Sequence, residues 1–149
     1  MDGLSIAASI AGLVALAMEL TKTTRKLISF LDTIHDAPTE VVRLNGLLKL
    51  VCSTTVHTIN AVELQSRGRG GHIPGREHIY EILVVCLQRL SPIQDALNKT
   101  EGFRLGNNVV SRSWVKLKLA LKRDDMLEME RQLEQALSVL NVSLTTMVL

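Results

Sequence analysis

Residues Gly3 to Met18 (GLSIAASIAGLVALAM) carry no charge at all. Small residues (Gly3, Ala7, Ala8, Ala11, Gly12, Ala15) alternate irregularly with large aliphatic ones (Leu4, Ile6, Ile10, Leu13, Val14, Leu16). The first residues of a chain are ordinarily polar and loosely held. A helix that is apolar all round needs either protein or lipid on every side. The segment is therefore the central helix of a bundle, a membrane-entering helix, or each at different times.

Three arguments bear on that choice. A secretory leader needs cations ahead of its apolar stretch. Here the only early charged side chain is Asp2, and the first cation, Lys22, follows the run. No lipidation motif stands out. A permanent span needs about 20 apolar residues to cross a core about 30 Å thick. Sixteen residues make a helix of only about 24 Å, and Glu19, Lys22, Arg25 and Lys26 block its extension. A buried helix fits the periodicity: Ile6, Ile10, Leu13, Ala17 and Leu20 step by four and three along one stripe. Gly3, Ala7, Ala11 and Ala15 form a second, small stripe of the kind that admits a closely packed neighbour. A near-spanning helix at a chain end also needs little unfolding to leave its neighbours.

The remainder repeats the helical period. Helix one is expected from about Leu4 to Ile34, with a weak point at Thr21–Thr24, since threonine disfavours helix. Pro38 suits the first turn of a second helix ending near Gln65, weakened locally by Asn45-Gly46. SRGRGGHIPG (Ser66–Gly75) is a glycine-rich, basic connection and not a phosphate loop, since no Gly-Lys-Ser/Thr follows. Ile79, Leu83, Cys86, Leu90, Ile93 and Leu97 mark a third helix from Arg76 to Asn98, with a kink expected near Gln88–Leu90 from Pro92. A short helix from Ser113 to Leu121 holds Trp114. A last helix runs from Asp125 to Thr145, opened by a capping box of Asp125 and Glu128. With 46% hydrophobic and 3% aromatic residues, the core rests on aliphatic side chains. The expected fold is all-α: a single domain over residues 1–149, an up-down four-helix bundle with one additional short helix.

Chemistry is sparse. The histidines (His35, His57, His72, His78) have no metal-ligand spacing, and none sits beside a plausible nucleophile. Asp124-Asp125 reads as a helix start. Cys52 and Cys86 lie in apolar periodic stretches and read as free, buried thiols. No enzyme activity, cofactor or metal is expected. Net charge is +2, too small to argue for nucleic acid, and no nucleic-acid-binding module is present. The distribution is more informative. Arg104 to Arg123 holds six cations (Arg104, Arg112, Lys116, Lys118, Lys122, Arg123) and no acid. The stretch Arg112–Arg123 is a solvated helix face or a site for anionic lipid headgroups, where each nearby cation contributes about 1 kcal/mol. The loop Arg67–Arg76 would add to that surface if the fold brings the two together.

The opening MDGLSIAASIAGLVALA resembles that of fungal HeLo-like domains, the N-terminal domains of STAND (NLR-type) receptors. The resemblance continues in DTIHDAPTEVVRLNGLL and in SWVKLKLALKRDDMLEMERQLEQALSVLNVSL, and so covers most of the chain. It implies a helical bundle related to the HeLo domain of fungal incompatibility proteins and to the four-helix region of the mixed-lineage-kinase-like necroptosis executor. It further implies a cell-death effector that oligomerises and permeabilises the plasma membrane, moving there from the cytoplasm on activation. The inserting residues would be Leu4, Ile6, Ile10, Leu13, Val14, Leu16 and Leu20. Headgroups would meet Arg112, Lys116, Lys118, Lys122 and Arg123. Partners would be an anionic membrane, further copies of the chain and an upstream NLR-type receptor. The family's nucleotide-binding domain and amyloid motif are not in this sequence, so the chain is a stand-alone member or an excised domain.

Two other functions remain open. A soluble interaction module would assemble receptors without touching lipid. A secreted four-helix signalling protein would use the sequons at Asn98 and Asn141 and lose its leading segment.

Overall fold

Among the described residues, the stripes of large apolar side chains become the buried faces of helices. The computed structural model describes residues 10–34, 38–68, 75–101 and 123–148. They form α1 (Ile10–Asp32), α2 (Thr39–Gly68), α3 (Arg76–Glu101) and α4 (Arg123–Val148), with no strand among the described residues. The all-α bundle is as expected. The proposed short helix at Ser113–Leu121 lies outside the described residues, as do Leu4 and Ile6.

The core is aliphatic and continuous. Leu13, Ala17, Leu20, Leu27 and Leu31 of α1 meet Val41, Leu44, Leu48 and Val51 of α2, Ile79, Leu83, Leu90 and Ile93 of α3, and Leu133 and Leu140 of α4. Burying each leucine or isoleucine removes apolar surface from water and stabilises by about 1.5–3 kcal/mol.

Side-chain contacts fix the helix directions. Asn45 Nδ2 donates to Asp32 Oδ1 at 2.7 Å, so α1 and α2 run antiparallel. Lys26 Nζ donates to Asn98 Oδ1 at 3.1 Å late in both α1 and α3, which makes these two parallel. Arg43, early in α2, meets Glu130, early in α4, at 2.9 Å, and those two are parallel as well. Directions therefore alternate along the chain. Neighbours do not follow chain order: α1 packs on α2 and α3, and α4 packs on α2 and α3, while α2 and α3 face each other across a diagonal. The starts of α1 and α3 and the ends of α2 and α4 share one end of the bundle. The end of α3 and the start of α4 share the other.

Two local expectations are corrected. The Thr21–Thr24 stretch does not break α1, which runs unbroken from Ile10 to Asp32. Thr21, Thr23 and Thr24 are buried. The Thr21 hydroxyl donates to Ala17 O at 2.9 Å, and that of Thr24 to Leu20 O at 3.0 Å. Back-bonding to the preceding turn satisfies each hydroxyl inside its own helix, and burial outweighs the small loss of propensity. The second correction concerns the start of α4. The helix begins at Arg123, so Asp125 lies inside it and not at its start. Glu128 instead accepts from Arg131 Nη2 at 2.6 Å and Nε at 3.0 Å. That hydrogen bonding holds its carboxyl below the usual carboxylate range.

The other boundaries follow local chemistry. Pro38 opens α2, its carbonyl accepting from Val41 N at 3.0 Å and Val42 N at 3.1 Å. Gly75 adopts φ +73° immediately before α3, a conformation costly for any residue with a Cβ, and its carbonyl accepts from Ile79 N. The α3 helix continues through Pro92 to Glu101. Pro92 and Gln88, whose carbonyl loses its donor, are both exposed, so water can satisfy that carbonyl.

Candidate functional site

The described part of the leading segment is the first three turns of α1. Leu13 and Leu20 are core residues, 1% and 0% exposed. Ile10, Val14 and Leu16 are partly buried against that core. Of the seven side chains expected to enter a membrane, these five are thus docked in the bundle. Leu4 and Ile6 lie outside the described residues.

The outward face of the same turns is also apolar. Ala11 and Ala15 are exposed, and Met18 is 59% exposed. This corrects one expectation for the described half of the small-residue stripe: Ala11 and Ala15 face outward and are not packed under a neighbouring helix. The reason is a competition for the single inward face. Leu13 and Leu20 bury far more apolar area than Ala11 and Ala15, so their side of the helix takes it. From Ile10 to Met18 the helix is apolar inside and out. Charge begins only with Glu19, Lys22 and Arg25.

Those charges border an open groove between α1 and α2 of about 790 Å³, lined by Ala15, Met18, Glu19, Lys22, Ile59 and Glu63 among others. Both helices also bury threonines. Thr54, Thr55 and Thr58 of α2 are buried, like the three threonines of α1. Thr55 donates to Val51 O at 2.6 Å and Thr58 to Thr54 O at 2.8 Å. These hydroxyls bond within their own helices. Residue spacing carried this signal, since Thr21/Thr24 and Thr55/Thr58 continue the leucine stripes.

Arg112, Lys116, Lys118 and Lys122 lie outside the described residues, and Arg123 is the first residue of α4. The stretch that contains them leaves α3 at Glu101 and enters α4 at Arg123, the end opposite to the start of α1. The glycine-rich connection is anchored by Gly68 and Gly75 at the same end as the start of α1. The described flanks of the two basic segments thus sit at opposite ends of the bundle.

Sequence reasoning missed one buried ion pair. Glu130 is 5% exposed. Its Oε2 accepts from Arg43 Nε at 2.9 Å, and its Oε1 has no hydrogen-bond partner. The only hint in the sequence is an acid on the apolar seam of α4, directly after Met129. Cys52 and Cys86 are both free thiols, and burial pushes that of Cys86 up to about 11. Among the described residues no group of three His, Cys, Asp or Glu could hold a metal ion, and no helix is long and apolar enough to cross a membrane. His57 and His78 are exposed on α2 and α3.

Comparison with family models, with curated proteins and with solved structures finds no match to this chain.

Proposed function

We propose that this chain is a membrane-acting helical bundle of the HeLo-like kind. In this reading it is a cell-death effector domain that self-associates and permeabilises an anionic plasma membrane through its N-terminal apolar helix. One observation carries the reading: α1 is apolar on both its inward and outward faces from Ile10 to Met18, in continuity with a leading sequence that is uncharged from Gly3.

The energetics favour exchange between the two environments. Peeling the first turns of α1 from the bundle uncovers Leu13 and the half-buried Ile10, Val14 and Leu16. In water that costs about 1.5–3 kcal/mol for each fully buried side chain. Hydrocarbon returns the same burial energy and adds that of Ala11, Ala15 and Met18, which the bundle leaves wet. Further along, Thr21 and Thr24 take their hydrogen bonds with them, so separation from α2 orphans neither hydroxyl. Sixteen uncharged residues are short of the 20 that cross a bilayer comfortably. The segment therefore enters as one of several copies or lies in the interface, as amphipathic anchors do.

The test uses positions that are exposed in the bundle. Ala11→Glu and Ala15→Glu preserve the docked fold, because both side chains already face water. In lipid each places a carboxylate among the acyl chains, at a cost of about 3 kcal/mol near a helix centre. Dye release from anionic liposomes should fall at least tenfold, with helical circular dichroism unchanged. Leakage equal to that of the native chain defeats the proposal. Leu13→Glu is a poorer probe, since Leu13 belongs to the core.

A soluble interaction module is the second reading. It is favoured by exposed large apolar side chains away from α1, notably Val42 and Leu50 on α2 and Val142 on α4. It predicts oligomers in solution and no liposome binding at any lipid composition.

A further inference from the structure

We infer that one end of the bundle, where α1 and α3 begin and α2 and α4 finish, is the face that meets an anionic bilayer, with Arg67 and Arg76 as its headgroup contacts. The inference rests on the membrane-acting reading above and assigns it a different set of cations from those the sequence suggested.

Topology brings three properties to this end. First, two uncharged stretches run to it. Gly3–Met18 leads into α1, and Gln135–Leu149 forms the second half of α4 and the residue after it, with no Asp, Glu, Lys or Arg in either. Second, large apolar side chains are exposed near it: Met18 at 59%, Leu64 at 70% and Val142 at 64%. Third, it is where the glycine-rich connection starts and finishes. Arg67 lies in the last turn of α2 and is exposed, and Arg76 opens α3. From Ser66 to Arg76 the sequence holds three arginines and no acid. The nearest acids on these helices are Glu63 and Glu77, both exposed, and no described ion pair joins them to Arg67 or Arg76.

Of the other basic stretch, the one described cation lies at the opposite end. Arg123 opens α4 at the far end of the bundle. A helix of the 23 residues of α1 is about 35 Å long, several times the Debye length of about 8 Å at physiological salt. Arg123 is thus too far from the start of α1 to hold headgroups there while the bundle is intact. Arg67 and Arg76 are already beside it.

The experiment is co-sedimentation of the full chain with vesicles of 70:30 phosphatidylcholine and phosphatidylserine. Arg67→Gln with Arg76→Gln should weaken binding roughly thirty-fold, the product of two headgroup contacts of ordinary strength. Lys118→Gln with Lys122→Gln should change it less than about three-fold. Circular dichroism checks that both doubles keep the native helix content. Independently, Leu64→Trp in a Trp114→Phe background should be quenched by brominated lipid, and Thr33→Trp, at the opposite end of α1, should not. Equal loss from both pairs, loss only from the lysine pair, or quenching at Thr33→Trp but not at Leu64→Trp overturns the assignment. Binding that depends on Arg67 and Arg76 without dye release leaves this face standing and removes the permeabilising function. A native chain that binds no vesicle removes both.

Discussion

Arg43 reaches across from α2 to place its Nε 2.9 Å from Glu130 Oε2 on α4, and it is the sole described partner of a carboxylate that is otherwise shut away from water. The guanidinium is half-exposed, with 46% of the side chain accessible, whereas the Glu130 side chain is 7% accessible. The asymmetry sets the energetics. Removing Arg43 leaves a buried charge uncompensated, which costs 3–5 kcal/mol when both partners are buried. Water already reaches Arg43, so the cost here is smaller. Arg43→Ala should lower unfolding free energy by about 2 kcal/mol, and Arg43→Met with Glu130→Leu should recover to within about 1 kcal/mol of the native chain. Urea denaturation of the three proteins measures this, and a double variant no better than the single one contradicts it.

Gly46 sits in the interior of α2, on its exposed side. A Cβ added there would meet nothing within 4 Å. Glycine in a helix interior costs roughly 0.5–1 kcal/mol relative to alanine, through its larger loss of backbone freedom. Gly46→Ala should therefore raise stability by that amount, read as a higher urea midpoint at unchanged slope.

Cys86 is buried in α3, and burial raises its thiol from an ordinary 9.0 to about 11. The folded chain holds the proton more tightly than the unfolded one. Its contribution is complete below pH 9 and is lost as pH rises from 9 toward 11, by about 3 kcal/mol in all. Comparing the pH dependence of stability with that of Cys86→Ala isolates this loss: the variant should show a flatter decline. At pH 8 the half-buried Cys52 should react with a maleimide well before Cys86, which reacts only as the chain opens.

The buried threonines and the buried leucines should respond differently to truncation. Thr55 donates to Val51 O, a carbonyl in the middle of α2, so Thr55→Val removes a bond without orphaning a required donor. Its cost should stay within about 1 kcal/mol. Leu20, which has no exposed surface, loses both transfer energy and packing in Leu20→Ala, about 2–5 kcal/mol. Thermal denaturation of the two variants separates the cases.

The helices and their inward faces could be read from residue spacing, because a period of 3.6 marks which side chains can share one side. Leu13–Ala17–Leu20, Ile79–Leu83–Cys86 and Met129–Leu133–Leu137 all became core. Thr21–Thr24 was misjudged because propensity is a local quantity, whereas the burial that overrides it comes from α2 and α3. The Arg43–Glu130 pair spans 87 positions, and no spacing rule reaches that far. For the candidate site, the apolar run was visible at once, but which side of it faces out was not. Two stripes on one helix compete for a single neighbour, and their volumes against that neighbour decide.

By itself the sequence determined an aliphatic, all-helical chain with an uncharged beginning and two acid-free basic stretches, Ser66–Arg76 and Arg104–Arg123. Only the tertiary structure decided that α2 and α3 lie across a diagonal, that Ala11 and Ala15 face water, and that the described flanks of the two basic stretches sit at opposite ends. The physical reason is that periodicity specifies a buried face but not the helix that covers it. That choice is made by side-chain shape and contact between residues far apart in the chain.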